Sequence, residues 1–231
     1  MLSLRGLAGA LFGGACALCR GAARGPLCAA CEADLPRAAA ERCPRCALPA
    51  PGASLCGRCL AQSPAYDATI AALEYRFPAD VLVRELKFAG RLALGALAGE
   101  LLARAVVAAG EPRPDCVVPV PLGRARLAAR GFNQATLIAR AAARALAVPM
   151  RPALCERARE TAVQSELPLE KRAANVRDAF VCPALVGGLA IAVVDDVMTS
   201  GATLEAVARA LKAAGAARVV NWVLARTPPP A

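Results

Sequence analysis

The sequence predicts an α/β protein with a parallel sheet, preceded by a small cysteine-rich module. From residue 66 onward, apolar runs of strand length alternate with helix-period segments, which is the pattern of repeated βα units. One of these units, residues 189–211, joins an apolar strand to a helix through a hydroxyl-rich turn that contains Gly201. Before residue 60, eight cysteines fall into four Cys-x-x-Cys pairs, which indicates a metal-stabilised ribbon.

The four cysteine pairs predict structural zinc sites. They are Cys16/Cys19, Cys28/Cys31, Cys43/Cys46 and Cys56/Cys59. A Cys-x-x-Cys turn places two thiolates on one tetrahedral ion, and two such turns complete a closed four-sulfur site. Because the chain contains no histidine, thiolates must supply the ligands. Sequential pairing would give one site from the first two pairs and another from the last two. Interleaved pairing, or a single bound ion, is the alternative.

The overall composition favours a soluble, cytoplasmic protein. Residues 1–12 do not form a clear signal peptide, so we expect a reducing compartment in which cysteines bind metal rather than form disulfides. The mean hydropathy of +0.45 raises the question of a membrane protein. However, residues 179–194 form the longest charge-free run near the Gly201 turn. They contain Pro183 and are shorter than the roughly 20 residues of a spanning helix. Three cysteines outside the pairs are expected in the core: Cys116, Cys155 and Cys182.

The zinc module is expected to cover residues 1–62 and the main domain residues 63–231. The main domain is predicted to begin with one or two strands in 66–77, a helix over 80–88 capped by Asp80, a helix over 92–109 closed by Gly110, and a strand over 115–118. There follow a helix ending near Leu146, a strand over 150–155, a polar loop over 156–176, a strand over 189–194, a helix from Leu204 that stops at Gly215, and a strand over 217–225. The polar loop is long for a compact domain, which indicates an active-site lid or a disordered segment.

The stretch from Asp195 to Thr203 has the composition of a sugar-phosphate site. Amides at a helix N-terminus attract an anion, and Gly201 lets the backbone approach it. Three hydroxyl side chains in the stretch add donors. The carboxylates of Asp195 and Asp196 accept hydrogen bonds, so they suit the diol of a ribose beside its 5′-phosphate. The alternative is a solvated acidic turn before an ordinarily capped helix.

Residues 193–203, Val-Val-Asp-Asp-Val-Met-Thr-Ser-Gly-Ala-Thr, resemble the phosphoribosyl pyrophosphate (PRPP) loop of type I phosphoribosyltransferases. The resemblance implies that Asp195 and Asp196 are the catalytic pair and hold the ribose hydroxyls. It also implies that PRPP is bound by Val197, Met198, Thr199, Ser200, Gly201, Ala202 and Thr203. Magnesium would bridge pyrophosphate and ribose oxygens, because it is a hard cation suited to phosphates and few protein carboxylates.

Further motifs occur in an order that resembles the ComF family over nearly the whole chain. They are the cysteine pairs, Lys87-Phe-Ala-Gly-Arg91, Pro119-Val-Pro121, Arg130-Gly131-Phe132-Asn133-Gln134, then Arg157, Gln164, Arg172 and Asn175, and finally the 195–203 loop. The resemblance implies a double zinc ribbon joined to a phosphoribosyltransferase-like domain and, for several members, an association with uptake of single-stranded DNA in natural transformation.

These motifs also supply further candidate ligand contacts. The residues expected to neutralise the pyrophosphate are Lys87, Arg91, Arg157 and Arg172. The residues expected to contact a substrate or partner are Arg130, Gly131, Phe132, Asn133, Gln134 and Gln164. The alternatives are a solvent-facing helix start at Arg130, with Phe132 packed inward, and a disordered polar loop around Gln164.

The charge distribution leaves three classes of function open. The net charge is +10, and residues 120–177 contain eleven Lys or Arg against four Glu. Such a strip suits pyrophosphate, a nucleotide or a nucleic-acid backbone, or is simply a solvated surface. The three classes are a magnesium-dependent phosphoribosyltransferase, a single-stranded-DNA-handling protein that docks other DNA-uptake proteins, and a ligand-responsive regulator on the same fold. An aromatic content of 3% argues against extensive base stacking.

Overall fold

The amino-terminal module contains two small ribbons. The computed structural model describes residues 14–88, 91–159, 175–176 and 178–229. Within these residues, the first ribbon has an antiparallel hairpin of β1 (Gly14–Ala15) and β2 (Ala22–Ala23), followed by α1 (Ala29–Ala33). The second has a 3-10 turn at Pro51–Ala53 and α2 (Gly57–Ala61). Both short helices begin directly after a paired cysteine, Cys28 or Cys56, so the metal-binding turns fix where they start.

The main domain is built on a parallel sheet. Its elements are β3 (Ala68–Glu74), α3 (Ala79–Phe88), α4 (Ala93–Ala109), β4 (Cys116–Pro119), α5 (Arg124–Arg130), α6 (Gln134–Ala145), a 3-10 turn at Pro152–Leu154, β5 (Glu156–Arg157), β6 (Phe180–Val181), β7 (Ala190–Met198), α7 (Ala202–Ala213) and β8 (Arg218–Arg226). Four strands pair in the order β3-β8-β7-β4, all parallel. Strands β5 and β6 form a separate antiparallel pair. The predicted α/β domain behind a cysteine module is confirmed.

Both faces of the sheet are buried, as is usual for parallel strands. Helices α3, α4 and α6 contribute to the core on one face, and α7 contributes to the core on the other. In the central strand β7, the run from Ile191 to Val194 is completely inaccessible to solvent. Within the described part of the chain, no helix combines the length and the apolar character needed to cross a membrane.

The two ribbons pack on opposite faces of the edge strand β3. The first ribbon joins the core that contains α3 and α4, and the second joins the core that contains α7. The segment between the ribbons runs along β3, where the Ala38 amide donates to the Ala72 carbonyl at 3.1 Å. The Glu74 amide likewise donates to the Pro36 carbonyl at 2.8 Å. The module therefore covers part of a sheet edge that would otherwise expose unpaired backbone groups.

The cysteines form two four-sulfur clusters in sequential order. The first cluster is Cys16/Cys19/Cys28/Cys31, and the second is Cys43/Cys46/Cys56/Cys59. Within each cluster, all four sulfurs lie within 4.8 Å of one another. The Sγ atoms of Cys19 and Cys28 are 3.8 Å apart, and those of Cys46 and Cys56 are 3.5 Å apart. A zinc tetrahedron with bonds of about 2.3 Å has edges of about 3.8 Å, so both clusters fit one zinc ion each. Sequential pairing is confirmed, and interleaved pairing is wrong.

The structure corrects the predicted elements at several positions. Strand β7 does not end at Val194 but continues to Met198. The predicted strand over 150–155 is reduced to one parallel bridge between Met150 and Val117, because a 3-10 turn begins at Pro152. An unpredicted helix, α5, precedes α6. Asp80 lies in the first turn of α3, where it pairs with Arg84 at 3.1 Å, and does not act as its cap.

Much of the predicted polar loop lies outside the described residues. Its first residues, Glu156 and Arg157, form β5 and pair with β6. Residues 160–174 and 177 are not described, and the predicted contacts Gln164 and Arg172 are among them. Of the cysteines predicted to be in the core, Cys116 and Cys155 are buried and Cys182 is partly exposed.

Close packing of α4 against α6 predicts that Gly99 cannot be enlarged. A Cβ atom at Gly99 would lie 2.7 Å from the Ile138 carbonyl oxygen and 2.8 Å from the Ala142 amide nitrogen, both backbone atoms. We expect Gly99→Ala to lower the free energy of unfolding by at least about 2 kcal/mol, as overpacking does. Gly187→Ala, where nothing lies within 4 Å of the added atom, is the control. Equal midpoints for both variants in chemical denaturation would contradict this packing.

Candidate functional site

The candidate site lies where β7 loses one of its two neighbours. Strand β4 pairs with β7 from Cys116 opposite Ile191 to Pro119 opposite Val194. Beyond Val194, β7 continues to pair with β8 as far as Met198. The last four residues of β7 therefore have an open edge at the carboxyl end of the sheet, which is where open α/β sheets bind ligands.

The acidic pair lies on this open stretch and contacts a lysine. The Nζ atom of Lys87, on the last turn of α3, lies 2.6 Å from the Asp196 carboxylate, which is 4% exposed. Two local hydrogen bonds orient the carboxylates: the Asp196 amide donates to Asp195 at 2.9 Å, and the Val197 amide donates to Asp196 at 2.8 Å. The structure thus brings the predicted Lys87 into direct contact with the predicted catalytic pair.

The acidic pair has more negative charge than Lys87 can neutralise. Burial and the neighbouring Asp196 carboxylate raise the pKa of Asp195 well above its usual range, although Lys87 opposes the shift. Burial alone would lower the pKa of Lys87, but the Asp196 carboxylate more than offsets it and the pKa is raised. Two carboxylates share one ammonium, so the site retains a negative charge unless it takes up a proton or another cation.

The loop after β7 has the geometry of an anion site. Gly201 has a φ of +86°, which favours glycine, and it precedes the first residue of α7. Because the N-cap residue of α7 is Gly201, it offers no side chain to the free amides of the helix. The hydroxyl of the preceding residue, Ser200, accepts from the Ala202 amide at 3.3 Å. A cavity of about 70 Å³ beside the loop is lined by Asp195 and by residues 197–204. Asp195 and the N-terminus of α7 therefore border the same small cavity, whereas Asp196 is not among the residues that line it.

The other predicted basic contacts have their own partners. Arg91 forms an ion pair with Glu85 at 3.3 Å, and Glu85 also pairs with Arg20 of the first ribbon at 3.1 Å. The Arg157 guanidinium stacks over the Phe180 ring, 5.3 Å from its centre. The assignment of both arginines to pyrophosphate stays a prediction.

The Arg130–Gln134 segment has mixed structural roles. The Arg130 guanidinium stacks over the ring of Phe88, the neighbour of Lys87, at 5.3 Å, and donates to the Gln134 side chain at 2.7 Å. Asn133 accepts from the Ala135 amide at the start of α6 and donates to the Val120 carbonyl, both at 3.0 Å. Gly131, with a φ of +79°, ends α5, and Phe132 is half-buried at the edge of a groove. The segment joins α5 to α6 and reaches Phe88, the residue next to Lys87.

Comparison with known proteins identifies the family. A double zinc ribbon domain matches residues 7–60, and a phosphoribosyl transferase domain matches residues 133–229. The Salmonella typhi protein named DNA utilization protein YhgH is 37% identical over 222 residues, which cover 93% of this chain and 97% of that protein. The Escherichia coli K12 protein of the same name is 36% identical over 190 residues, or 80% of this chain and 84% of that protein. Competence protein F of Haemophilus influenzae is 31% identical over 178 residues, or 74% and 78%. The chain belongs to the ComF family.

Two arginines of this ComF-family chain contact the loop and were not predicted from the sequence. Arg58, in the second ribbon, donates to the Ser200 carbonyl at 2.7 Å across 142 positions of sequence. Arg226, the last residue of β8, donates to the Met198 carbonyl at 2.8 Å. No local pattern marks either residue, because both contacts depend on how the ribbon and the last strand pack.

The raised pKa of Asp195 predicts a pH-dependent stability difference for Asp195→Asn. The folded state holds this proton more tightly than the unfolded chain, whose Asp pKa is about 3.9, so stability is lost as pH rises towards the folded pKa. We expect Asp195→Asn to be more stable than wild type at pH 8 and the difference to shrink as pH falls. Denaturant unfolding of zinc-saturated protein measures this, and no histidine titrates in the interval.

The control for this prediction is Asp34→Asn, which changes an exposed carboxylate of the zinc module. It should leave the pH dependence of unfolding as in the wild type. A wild type that is more stable than Asp195→Asn at pH 8 would show that ionised Asp195 stabilises the fold.

Proposed function

We propose that this ComF-family chain binds PRPP together with magnesium. The observation that carries the proposal is the shared cavity, which is bordered by Asp195 and by the start of α7. Asp195 and Asp196 accept hydrogen bonds from the ribose hydroxyls. The 5′-phosphate binds the loop of residues 197–203, where backbone amides and hydroxyls act as donors. Lys87 fixes Asp196 and reduces the charge that the sugar meets.

The charge of the acidic pair supports a divalent cation. Because Lys87 neutralises only one of two close carboxylates, the site gains from an added positive charge. Magnesium prefers oxygen ligands and keeps several waters, so it would be held mainly by pyrophosphate and ribose oxygens. Asp195, whose carboxylate is not the one paired with Lys87, is the protein oxygen ligand that fits. The bound ion supplies charge neutralisation to the phosphate oxygens.

Phosphoribosyl transfer is the reaction that this site would catalyse. The bond between the ribose C1 and the pyrophosphate oxygen breaks, and a bond from C1 to an acceptor nitrogen forms. Positive charge develops on the ribose, and the adjacent Asp195 carboxylate stabilises it. Arg91, Arg157 and Arg172 are proposed to neutralise the leaving pyrophosphate. The rest of the protein's contribution is to hold the two reactants in position.

Calorimetry with PRPP and magnesium tests this proposal. We expect wild-type protein to bind, and Asp195→Asn to bind at least about tenfold more weakly, because hydrogen bonds to a charged group contribute about 1.5–3 kcal/mol. Asp195→Asn is preferred over a change at Asp196, which would leave the half-buried Lys87 without its partner. Asp34→Asn should bind as the wild type does. Absence of binding by folded wild type would exclude PRPP as the ligand, and pyrophosphate release in a screen of bases would establish turnover.

A second candidate function is the handling of single-stranded DNA, with the site as a sensor of PRPP or a nucleotide. It is favoured by the names of the relatives, DNA utilization protein and Competence protein F, and by the positive charge of residues 120–177. On this hypothesis, DNA phosphates bind the arginines of α5, and the ribbons dock partner proteins of DNA uptake. The two functions are compatible, because α5 and the 195–203 loop are separate elements.

Salt-dependent strand binding tests the second function. We expect the double variant Arg124→Gln/Arg126→Gln to bind single-stranded DNA more weakly and to lower the slope of log affinity against log salt by about 1.4, or about 0.7 for each lost phosphate contact. The control, Arg84→Gln/Arg209→Gln, removes the same charge from exposed arginines that form i,i+4 ion pairs in α3 and α7. Equal losses in both variants would mean that net charge alone determines the affinity.

A further inference from the structure

A buried arginine connects the second zinc site to the candidate phosphate loop. The Arg226 side chain is 3% exposed. Its Nε atom donates to the carbonyl of Cys46, a ligand of the second cluster, at 2.8 Å. Its Nη1 atom donates to the Met198 carbonyl at 2.8 Å and to the Thr199 carbonyl at 2.5 Å. One guanidinium thus connects the metal site with the last residue of β7 and the first residue after that strand.

The second zinc site provides the charge that a buried guanidinium needs. Burying an arginine is costly unless an anion lies close by. Among the ion pairs of the described residues, none joins Arg226 to a carboxylate, and its acceptors are backbone carbonyls. Four thiolates and one Zn²⁺ carry a net charge of about −2, so the metal-loaded cluster at Cys46 is the nearby anion.

Arg58 makes a parallel connection from the same ribbon. It lies between the ligands Cys56 and Cys59, and its Nη2 atom donates to the Ser200 carbonyl at 2.7 Å. Arginines on or against the second ribbon therefore bind three successive carbonyls, those of residues 198, 199 and 200. The first ribbon makes a different contact, since its Arg20 pairs with Glu85 on α3.

Binding the carbonyls determines where the neighbouring amides point. In a planar trans peptide, the carbonyl of one residue and the amide N–H of the next point in opposite directions. Arginines that hold the carbonyls of residues 198–200 on the ribbon side therefore direct the N–H groups of residues 199–201 to the opposite side. These are amides that a bound phosphate would use at the start of α7.

We infer that the second zinc site positions the phosphate loop through Arg226 and Arg58, whereas the first zinc site does not. The effect on ligand affinity rests on the proposed PRPP function, but the effect on loop order does not. Arg58 and Arg226 act through the loop backbone and are positioning residues. Loss of either the second-site zinc or the Arg58 contact should loosen the amides of residues 199–201.

The test compares Arg58→Ala with Arg58→Lys and a matched control, Arg24→Ala, which changes an exposed arginine of the first ribbon. Hydrogen exchange of the 199–201 amides and calorimetry with PRPP and magnesium are the two measurements. We expect faster loop exchange and about 3- to 10-fold weaker PRPP binding for Arg58→Ala, as for a lost hydrogen bond to a partly exposed group. Thermal midpoint and zinc content should match Arg24→Ala, and Arg58→Lys should restore part of both losses.

A second comparison separates the two metal sites. Zinc content and hydrogen exchange of the loop are measured for two variants. Cys59→Ser removes one ligand from the second cluster, and Cys31→Ser removes one ligand from the first. Faster exchange at 199–201 only in Cys59→Ser supports the inference, and equal effects overturn it. If Cys59→Ser does not fold, the Arg58 variants decide. Faster loop exchange in Arg58→Ala without any PRPP binding by the wild type would contradict the proposed function alone. Unchanged exchange and unchanged PRPP binding would contradict this inference alone.

Discussion

The candidate site depends on the point at which β4 stops pairing with β7. The last backbone bond between them joins the Val120 amide to the Val194 carbonyl, and Pro121 follows without an amide of its own. A longer β4 would pair with the rest of β7 and close the edge on which the acidic pair lies. Because it stops, the acidic pair lies on a rigid strand with an open edge, where Asp195 lines the adjacent cavity and Asp196 is held by Lys87. The last four residues of β7 therefore have the fixed backbone geometry of a strand on one side and an unpaired edge on the other.

The parts of the structure that sequence could predict are those with a local cause. Cysteine spacing predicted both zinc clusters, since each Cys-x-x-Cys turn is a metal-binding unit by itself. Gly110 ends α4 in a left-handed conformation, as predicted from its position after a helical pattern. The alternation of strand and helix patterns predicted the parallel sheet, because successive βα units leave few other arrangements. The polar composition of the 195–203 loop likewise marked a candidate site, whose ligand stays a prediction.

The parts that could not be predicted depend on partners far along the chain. Asp195 and Asp196 have low strand propensity, yet they lie within β7 because β8 pairs with that stretch. A strand was predicted over 150–155, but only Met150 finds a partner before Pro152 turns the chain. Arg58 and Arg226 look like ordinary surface and strand-end cations in the sequence. Their contacts with the loop exist only after the ribbon has packed against the sheet.

The contact between Arg226 and Cys46 also affects how the protein is made. The two residues are 180 positions apart, and one belongs to the first quarter of the chain and the other to its last strand. During synthesis, both zinc clusters can be loaded long before β8 leaves the ribosome. The loop after β7 acquires its final set of carbonyl contacts only when that last strand docks. A truncated or still-growing chain would therefore hold zinc without these carbonyl contacts, so metal content alone does not report a mature protein.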